Sequence, residues 1–304
     1  MATLRAIEFW GGKGGVGKTT LAAAAALRAA RRGHRTLVVS TDPAHSLGDV
    51  LGVGLGDEPR PVAERLHAAE VSGEAQARRR VAAILDDAAD AVPADVLPAV
   101  RAHLRRAVDS PGTVEAALLD RLGELVEQVP ERFDRLVVDS APTGHMLRLL
   151  TLPELMTPWV EGLARSRERA RDADRTFAGV RDAEPDPLLR RLHARRERMA
   201  ALRERLRADA AVRLVVVPEP LVWAETRRAV DVLAGAGIAV TDPVVNRVVP
   251  AGGTGLLEAR RTAQAAVLAE IRARWPGAVE VPLLPAGPTG PDALTALAAL
   301  LDRA

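Results

Sequence analysis

Eight residues near the N-terminus constrain the fold of this chain more than any others. Gly12-Lys13-Gly14-Gly15-Val16-Gly17-Lys18-Thr19 follows a short β-type run, Ala6–Trp10, and leads into an alanine-rich helical stretch that reaches about Arg32. A strand, a glycine-rich turn carrying G-x-x-x-x-G-K-[ST] and a helix together form a phosphate-binding loop. Glycines let backbone N–H groups turn inward around phosphate oxygens, and the helix N-terminus adds partial positive charge. Lys18 is placed to reach the β- and γ-phosphates, and the Thr19 hydroxyl to ligate Mg²⁺. Gly12, Gly14 and Gly17 also satisfy the dinucleotide pattern G-x-G-x-x-G, with Asp42 as a following acid. That pattern has no need of the Lys-Thr pair, so the phosphate loop accounts for more of the residues.

Composition marks the same segment. Of 42 basic side chains, 40 are arginine, and the two lysines are Lys13 and Lys18. A compact ammonium and a planar guanidinium are not interchangeable against a phosphate, so lysine confined to this loop points to a site there. Lys13 is not required by an ordinary phosphate loop; a surface lysine beside the glycines is the plainer alternative. The chain has no cysteine, which removes disulfides, thiol catalysis, Cys-ligated zinc and thiol-bound metalloid within it. Net charge is +2, with 40 acids against the arginines, and aromatic residues make up 2%. No nucleic-acid partner is therefore expected. No apolar run approaches the ~20 residues that span a bilayer, and Met1–Trp10 does not read as a signal peptide, so a cytoplasmic protein is expected.

Further apolar runs follow at Thr36–Thr41, Leu136–Asp139, Leu214–Val217, Pro243–Val248 and Val279–Leu284. Short continuous apolar strands alternating with helical stretches predict a doubly wound, mostly parallel α/β sheet. Gly33 and Gly237 fall where helices should stop. Residues 60–130 read as helical by composition. Residues 153–210 begin apolar and become charged, with 14 Arg and 10 Asp or Glu within 161–210. Leu188, Leu192, Met199, Leu202 and Leu206 approach helical spacing. The expected organisation is one phosphate-loop (P-loop) domain over 1–304, with a helical subdomain formed by about 60–130 and 153–210.

Three motifs together resemble one family. GKGGVGKT, with its early lysine, is the deviant loop of MinD-like dimeric ATPases. Ser40–Asp49 (STDPAHSLGD) and Asp139–Arg148 (DSAPTGHMLR) look like the two switches of the arsenite-pump and guided-entry (tail-anchored-protein targeting) ATPases. Pro218-Glu219-Pro220, Asn246 in VVNRV and the terminal VPLLPAGPTGPDALTAL extend the resemblance. It implies ATP hydrolysis with Mg²⁺ in a nucleotide-sandwich homodimer, Lys13 acting across to the partner's nucleotide as an arginine finger does. It further implies that Asp42 positions or deprotonates the attacking water, that Asp139 holds Mg²⁺ through water, and that Thr20 contacts the α-phosphate. Asn246 would read adenine, and Glu219 would take the other nucleotide-contacting position. Asp42 could instead serve as a helix N-cap, and Glu219 as a turn acid. His45 and His145 fall in the switches, where hydrogen-bonding loop roles are commoner than metal ligation.

The departures bear on what ATP is used for. Without Cys-x-x-Cys there is no zinc clasp, and a single phosphate loop means that two copies are needed for a trans lysine. One reading is a targeting or chaperone-like factor for hydrophobic clients. Met146, Met156, Met199, Leu147, Leu149, Leu150, Leu152, Leu155, Trp159, Val160 and Leu163 would then be candidates for a groove or for ordinary core. A second is the energising subunit of a membrane anion pump. A third is a MinD- or ParA-like positioning switch, for which Ala293–Ala304 is a poor membrane helix.

Overall fold

The computed structural model describes residues 5–44, 46–91, 110–140, 143–152 and 187–303, with isolated positions between 98 and 169. Its centre is an eight-stranded sheet in the order β3-β4-β2-β5-β1-β6-β7-β8. The strands are β1 Ile7–Gly11, β2 Thr36–Ser40, β3 Arg60–Ala63, β4 Leu66–Glu70, β5 Arg135–Asp139, β6 Ala210–Val216, β7 Ala239–Val248 and β8 Val279–Pro282. All neighbours run parallel except β3, which pairs antiparallel with β4. The doubly wound α/β fold expected above is therefore present.

The central strands read as continuous apolar runs because both of their faces are covered. Side chains alternate between two core layers. Ile7, Phe9, Leu37, Val39, Leu136 and Val138 enter one; Trp10, Val38 and Val137 enter the other. The first layer is closed by α4 (Pro111–Glu127), α5 (residues 143–152) and α6 (Pro187–Asp209). The second is closed by α1 (Lys18–Arg31), α8 (Leu256–Arg274) and α9 (Gly290–Leu300), while α7 (Pro220–Gly235) contributes Val222 and Trp223 to it and Val230 and Leu233 to the first. Two further helices, α2 (Leu47–Leu51) and α3 (Gly73–Ala91), follow β2 and β4.

Helix α1 buries Ala22, Ala23, Ala24, Ala25, Ala26 and Ala30. Alanine gives the best intrinsic helix propensity and carries no bulk beyond Cβ, so the helix can lie close to both the sheet and α9. It ends at Arg32, and Gly33 follows at φ 94°, the left-handed stop that glycine provides without steric cost.

Residues 60–70 are a correction to the sequence reading. They form the hairpin β3–β4 rather than helix, turning at Arg65 with φ 57°. The sequence of β4, LHAAE, has low β-propensity, but its Leu66, Ala68 and Ala69 are buried and pair it with β2. Tertiary packing overrides local preference here. Pro61 lies in the outermost strand, where a missing N–H is tolerated.

The apolar seam of α6 is also core: Met199, Leu202 and Leu206 are buried with Leu119, Leu122 and Leu125 of α4. Met146, Leu149 and Leu150, candidates above for a groove, are buried in the same layer, and Leu147 and Leu152 pack against it. Leu155, Met156, Trp159, Val160 and Leu163 lie outside the described residues, as does His45.

Candidate active site

Strand order reverses around β1: the chain passes from β1 to β2 on one side, and β6 lies on the other. Ligand crevices of open α/β sheets form at the carboxyl ends of strands at such a switch point, and residues 12–17 occupy that place. Two glycines there have specific geometric reasons. A Cβ on Gly12 would stand 2.5 Å from the Val215 carbonyl oxygen. A Cβ on Gly17, at φ 97°, would stand 2.5 Å from Asn246 Nδ2. Lys18 opens α1, is buried, and donates from Nζ to the Lys13 carbonyl oxygen at 3.3 Å. Lys18, Thr19 and Thr20 thus share the first turn of α1, with the exposed Gly14 and Gly15 above them.

Register brings the acids to the loop. Ser40 at the end of β2 stands level with Asp139 at the end of β5, and Trp10 of β1 pairs with the same aspartate. Asp139 is wholly buried, and its Oδ2 accepts from Ser40 Oγ at 3.0 Å. Burial pushes its carboxyl up to about 6; Thr19, Ser40 and the Lys18 charge oppose the rise, and the Asp42 charge adds to it. The Thr19 hydroxyl is near enough to act on the charge, but Oδ1 makes no bond of ordinary hydrogen-bond geometry. An orphaned buried carboxylate oxygen beside a hydroxyl suits a hard cation. No cluster of three or more His, Asp or Glu exists among the described residues to cage a metal. The donor set therefore fits Mg²⁺ completed by phosphate and water.

Asp42 sits in the loop after β2. Its Oδ1 accepts from the Ala44 N–H at 3.0 Å, and its own N–H donates to Ser40 Oγ at 3.3 Å. This is a local turn of the kind that aspartate often makes, and it leaves the carboxylate near enough to Asp139 to act on its charge. Ser46 Oγ donates to Thr19 Oγ1 at 3.3 Å, and the Gly48 N–H donates to Glu70 Oε1 at 2.9 Å. The segment from Ser40 to Gly48 is thereby tied to β5, to the start of α1 and to β4. His145 is elsewhere, lining a cavity of about 490 Å³ with Thr41, Pro43 and Met146.

Behind Gly17 and Thr20 lies a second cavity, of about 280 Å³, walled by Asn246, Arg247 and the loop Leu283–Pro288. Asn246 Nδ2 donates to the Val16 carbonyl oxygen at 2.8 Å, and its Oδ1 accepts from the Arg247 N–H at 2.9 Å. The single asparagine therefore braces the phosphate loop while forming the pocket wall, and an amide retains one further N–H for a ligand. Arg247 has φ 58°, a left-handed conformation that is costly for a side chain of this size and concentrated at functional sites.

Two predicted residues stand apart from both cavities. Glu219, the residue before α7, is ion-paired with Arg260 at 3.3 Å. Lys13 is half-exposed and 3.8 Å from Glu225 of α7. Sequence reasoning assigned no role to Ser40, Ser46, Glu70, Glu225, Arg247 or the 283–288 wall. Ser40 and Ser46 lie within the STDPAHSLGD motif; Glu70 lies in a strand whose composition reads as helical.

Comparison with known proteins gives a consistent picture. The sequence profile of the anion-transporting ATPases matches residues 5–303. A putative arsenical pump-driving ATPase 2 of Aquifex aeolicus is 30% identical over 87% of this chain and 88% of its own length. The ATPase GET3B of Arabidopsis thaliana is 35% identical over 82% of this chain and 65% of its own length. The arsenical pump-driving ATPase of Escherichia coli is 33% identical over 86% of this chain, which spans 41% of that protein.

Proposed function

Because the chain belongs to the anion-transporting ATPase family and hydrolyses ATP, we propose that it does so as a homodimer in which each phosphate loop completes the site of the other. The arrangement of the two lysines carries this reading. Lys18 is buried under its own loop, whereas the Lys13 ammonium lies outside it against Glu225. A half-exposed ion pair is worth about 0–1 kcal/mol, so Lys13 is readily released toward a second copy's phosphates.

Within one subunit, N–H groups of Gly12–Gly17 cradle the phosphates, Lys18 neutralises the β- and γ-oxygens, and Thr20 contacts the α-phosphate. Thr19 directly and Asp139 through water would hold Mg²⁺, whose charge stabilises the phosphate oxygens when bound. Asp42 orients the attacking water and accepts its proton as the bond to the γ-phosphorus forms and the bond from that phosphorus to the bridging oxygen breaks, releasing ADP. Its tie to Ser40 keeps the carboxylate beside the Mg²⁺ ligands. Asn246 reads the adenine edge with its remaining N–H. Glu219 would contact nucleotide only on leaving Arg260. Lys13 of the second copy adds charge to the same phosphates, a contribution worth ~10³–10⁵ in rate in other phosphoryl-transfer systems.

Opening and closing of the helices within about 60–130 and 153–210 would couple this cycle to a hydrophobic client. The relative named GET3B supports that reading. The relatives named as arsenical pump-driving ATPases favour the alternative, the energising subunit of a membrane anion pump. No helix among the described residues is long and apolar enough to cross a membrane; in the pump reading the chain energises a membrane partner.

The test is ATPase rate per subunit against protein concentration, for wild type and for Lys13→Arg and Lys18→Ala. Steep concentration dependence, with turnover lost in both variants, is expected. A rate per subunit that stays constant on dilution would overturn the trans lysine. Apolar dye binding that differs between ATP- and ADP-bound protein supports a client surface; identical binding speaks against it.

A further inference from the structure

On the sheet face covered by α1, towards the C-terminal end of that helix, α1 and the C-terminal turn Leu301–Arg303 border a cavity of about 170 Å³. It is lined by Trp10, Arg28, Arg32, Arg213, Val244, Val279, Leu301 and Asp302, so three of its eight lining residues are arginines. A smaller cavity of about 50 Å³, also lined by Arg28 and Arg32, adds Arg5, Arg135 and Glu8. Five arginines thus face two carboxylates, Glu8 and Asp302, with His34 alongside.

The carboxylates neutralise this group only in part: Arg28, Arg32 and Arg213 share Glu8 and Asp302 between them. Glu8 Oε1 accepts from Arg213 Nε at 2.7 Å, and Asp302 accepts from Arg32. Arg28 instead donates to the Leu301 carbonyl oxygen, with Asp302 no closer than 3.9 Å to its Nε. Arg5 donates to the carbonyl oxygens of Arg207 and Ala208, and Arg135 to that of Arg5. Backbone carbonyls satisfy N–H donors without cancelling charge. Arg28 shows the balance: burial lowers its pKa, repulsion from Arg32 and Arg213 adds to this, and Glu8 and Asp302 oppose it. Cations crowded at a partly exposed recess are stabilised by an anion that can accept from several guanidinium forks.

The geometry points to a binding site for a free, compact dianion of phosphate or sulfate size, held by Arg28, Arg32 and Arg213 in the recess between α1, β6 and the C-terminal turn. At ~30 Å³ per water, the recess holds about six waters. That suffices for one tetrahedral anion with residual solvent and falls well below the ~300 Å³ of typical organic-ligand pockets. Trp10 closes the floor and Asp302 the rim, so a monoanion gains less than a dianion from the net positive field.

The test uses full-length protein saturated with Mg·ADP, so that the phosphate loop is already filled. Sodium sulfate is titrated against sodium chloride at matched ionic strength, reading thermal midpoint and heat of binding. Wild type should show a saturable stabilisation by sulfate, and by inorganic phosphate, beyond that of chloride. Arg213→Gln and the surface substitution Arg32→Gln should weaken binding by about tenfold or more each, at unchanged circular dichroism and ADP affinity. Arg32→Gln keeps the test decisive if Arg213→Gln, by freeing Glu8, fails to fold. Sulfate effects equal to those of chloride, or unchanged in Arg32→Gln, would overturn the site.

Discussion

The contact between Gly17 and Asn246 joins the phosphate loop to the base pocket and yields a quantitative expectation. Gly17→Ala puts a methyl at φ 97°, 2.5 Å from Asn246 Nδ2. Left-handed backbone costs a non-glycine residue ~1–2 kcal/mol. Relieving the overlap moves the Asn246 amide away from the Val16 carbonyl oxygen, now at 2.8 Å, and leaving that pair unmade costs about 1–3 kcal/mol more. The sum of about 2–5 kcal/mol corresponds to a loss of Mg·ADP affinity between ~30-fold and a few thousand-fold. In an Asn246→Ala background the overlap is gone, and Gly17→Ala should cost only the backbone part, roughly 5- to 30-fold. Calorimetric titration of the four proteins gives the coupling energy, expected at about 1–3 kcal/mol. Effects that add to within about 0.5 kcal/mol would show that the two residues act independently, and the bracing argument would fail.

Asp42→Asn should retain ATP binding and the turn to the Ala44 N–H, since an amide oxygen accepts the same bond. Its turnover should fall by ~10²–10⁴, and unchanged steady-state turnover would remove Asp42 from the chemistry. Arg35 holds the Asp134 carboxyl down at about 2 through side-chain and backbone hydrogen bonds. A depressed carboxylate stabilises the folded state above its unfolded value of ~3.9 and loses that contribution as pH falls toward about 2. Carboxyl titration by NMR should place Asp134 near 2 in wild type and return it toward ~3.9 in Arg35→Gln; an unchanged Asp134 titration would contradict this. Leu202→Ala removes a buried side chain from the layer shared by α4 and α6. It should lower the urea-unfolding free energy by about 2–5 kcal/mol; a loss below 1 kcal/mol would mean that α6 is not packed as described.

The legible parts of the sequence are those where local chemistry and global role coincide. Gly12–Thr19 carries its strand, its turn and its helix start in adjacent residues, and the apolar runs of β2, β5 and β6 are buried on both faces. The hairpin β3–β4 was illegible because its pairing energy comes from β2, some 30 residues earlier. Glu70 was lost with it, although its carboxylate holds the start of α2. Asn246 was marked by being the single asparagine, but its bond to the Val16 carbonyl needs 230 residues of chain to close first. Lys13 and Glu225 present the same difficulty. Nothing local announces that a helix two hundred residues on will hold the extra lysine.

The six buried alanines of α1 have a mechanical consequence. An alanine has no rotamers to exchange, so most of the helix face between Lys18 and Arg31 cannot absorb a displacement by repacking its own side chains. Fourteen residues make a rod of about 21 Å. Its first residue is the phosphate-loop lysine, and near its far end Arg28 grips the Leu301 carbonyl oxygen. Whatever shifts the loop end must shift the arginine end as a rigid body or bend the backbone itself. A bulky side chain placed anywhere along that row would jam the rod rather than cushion it.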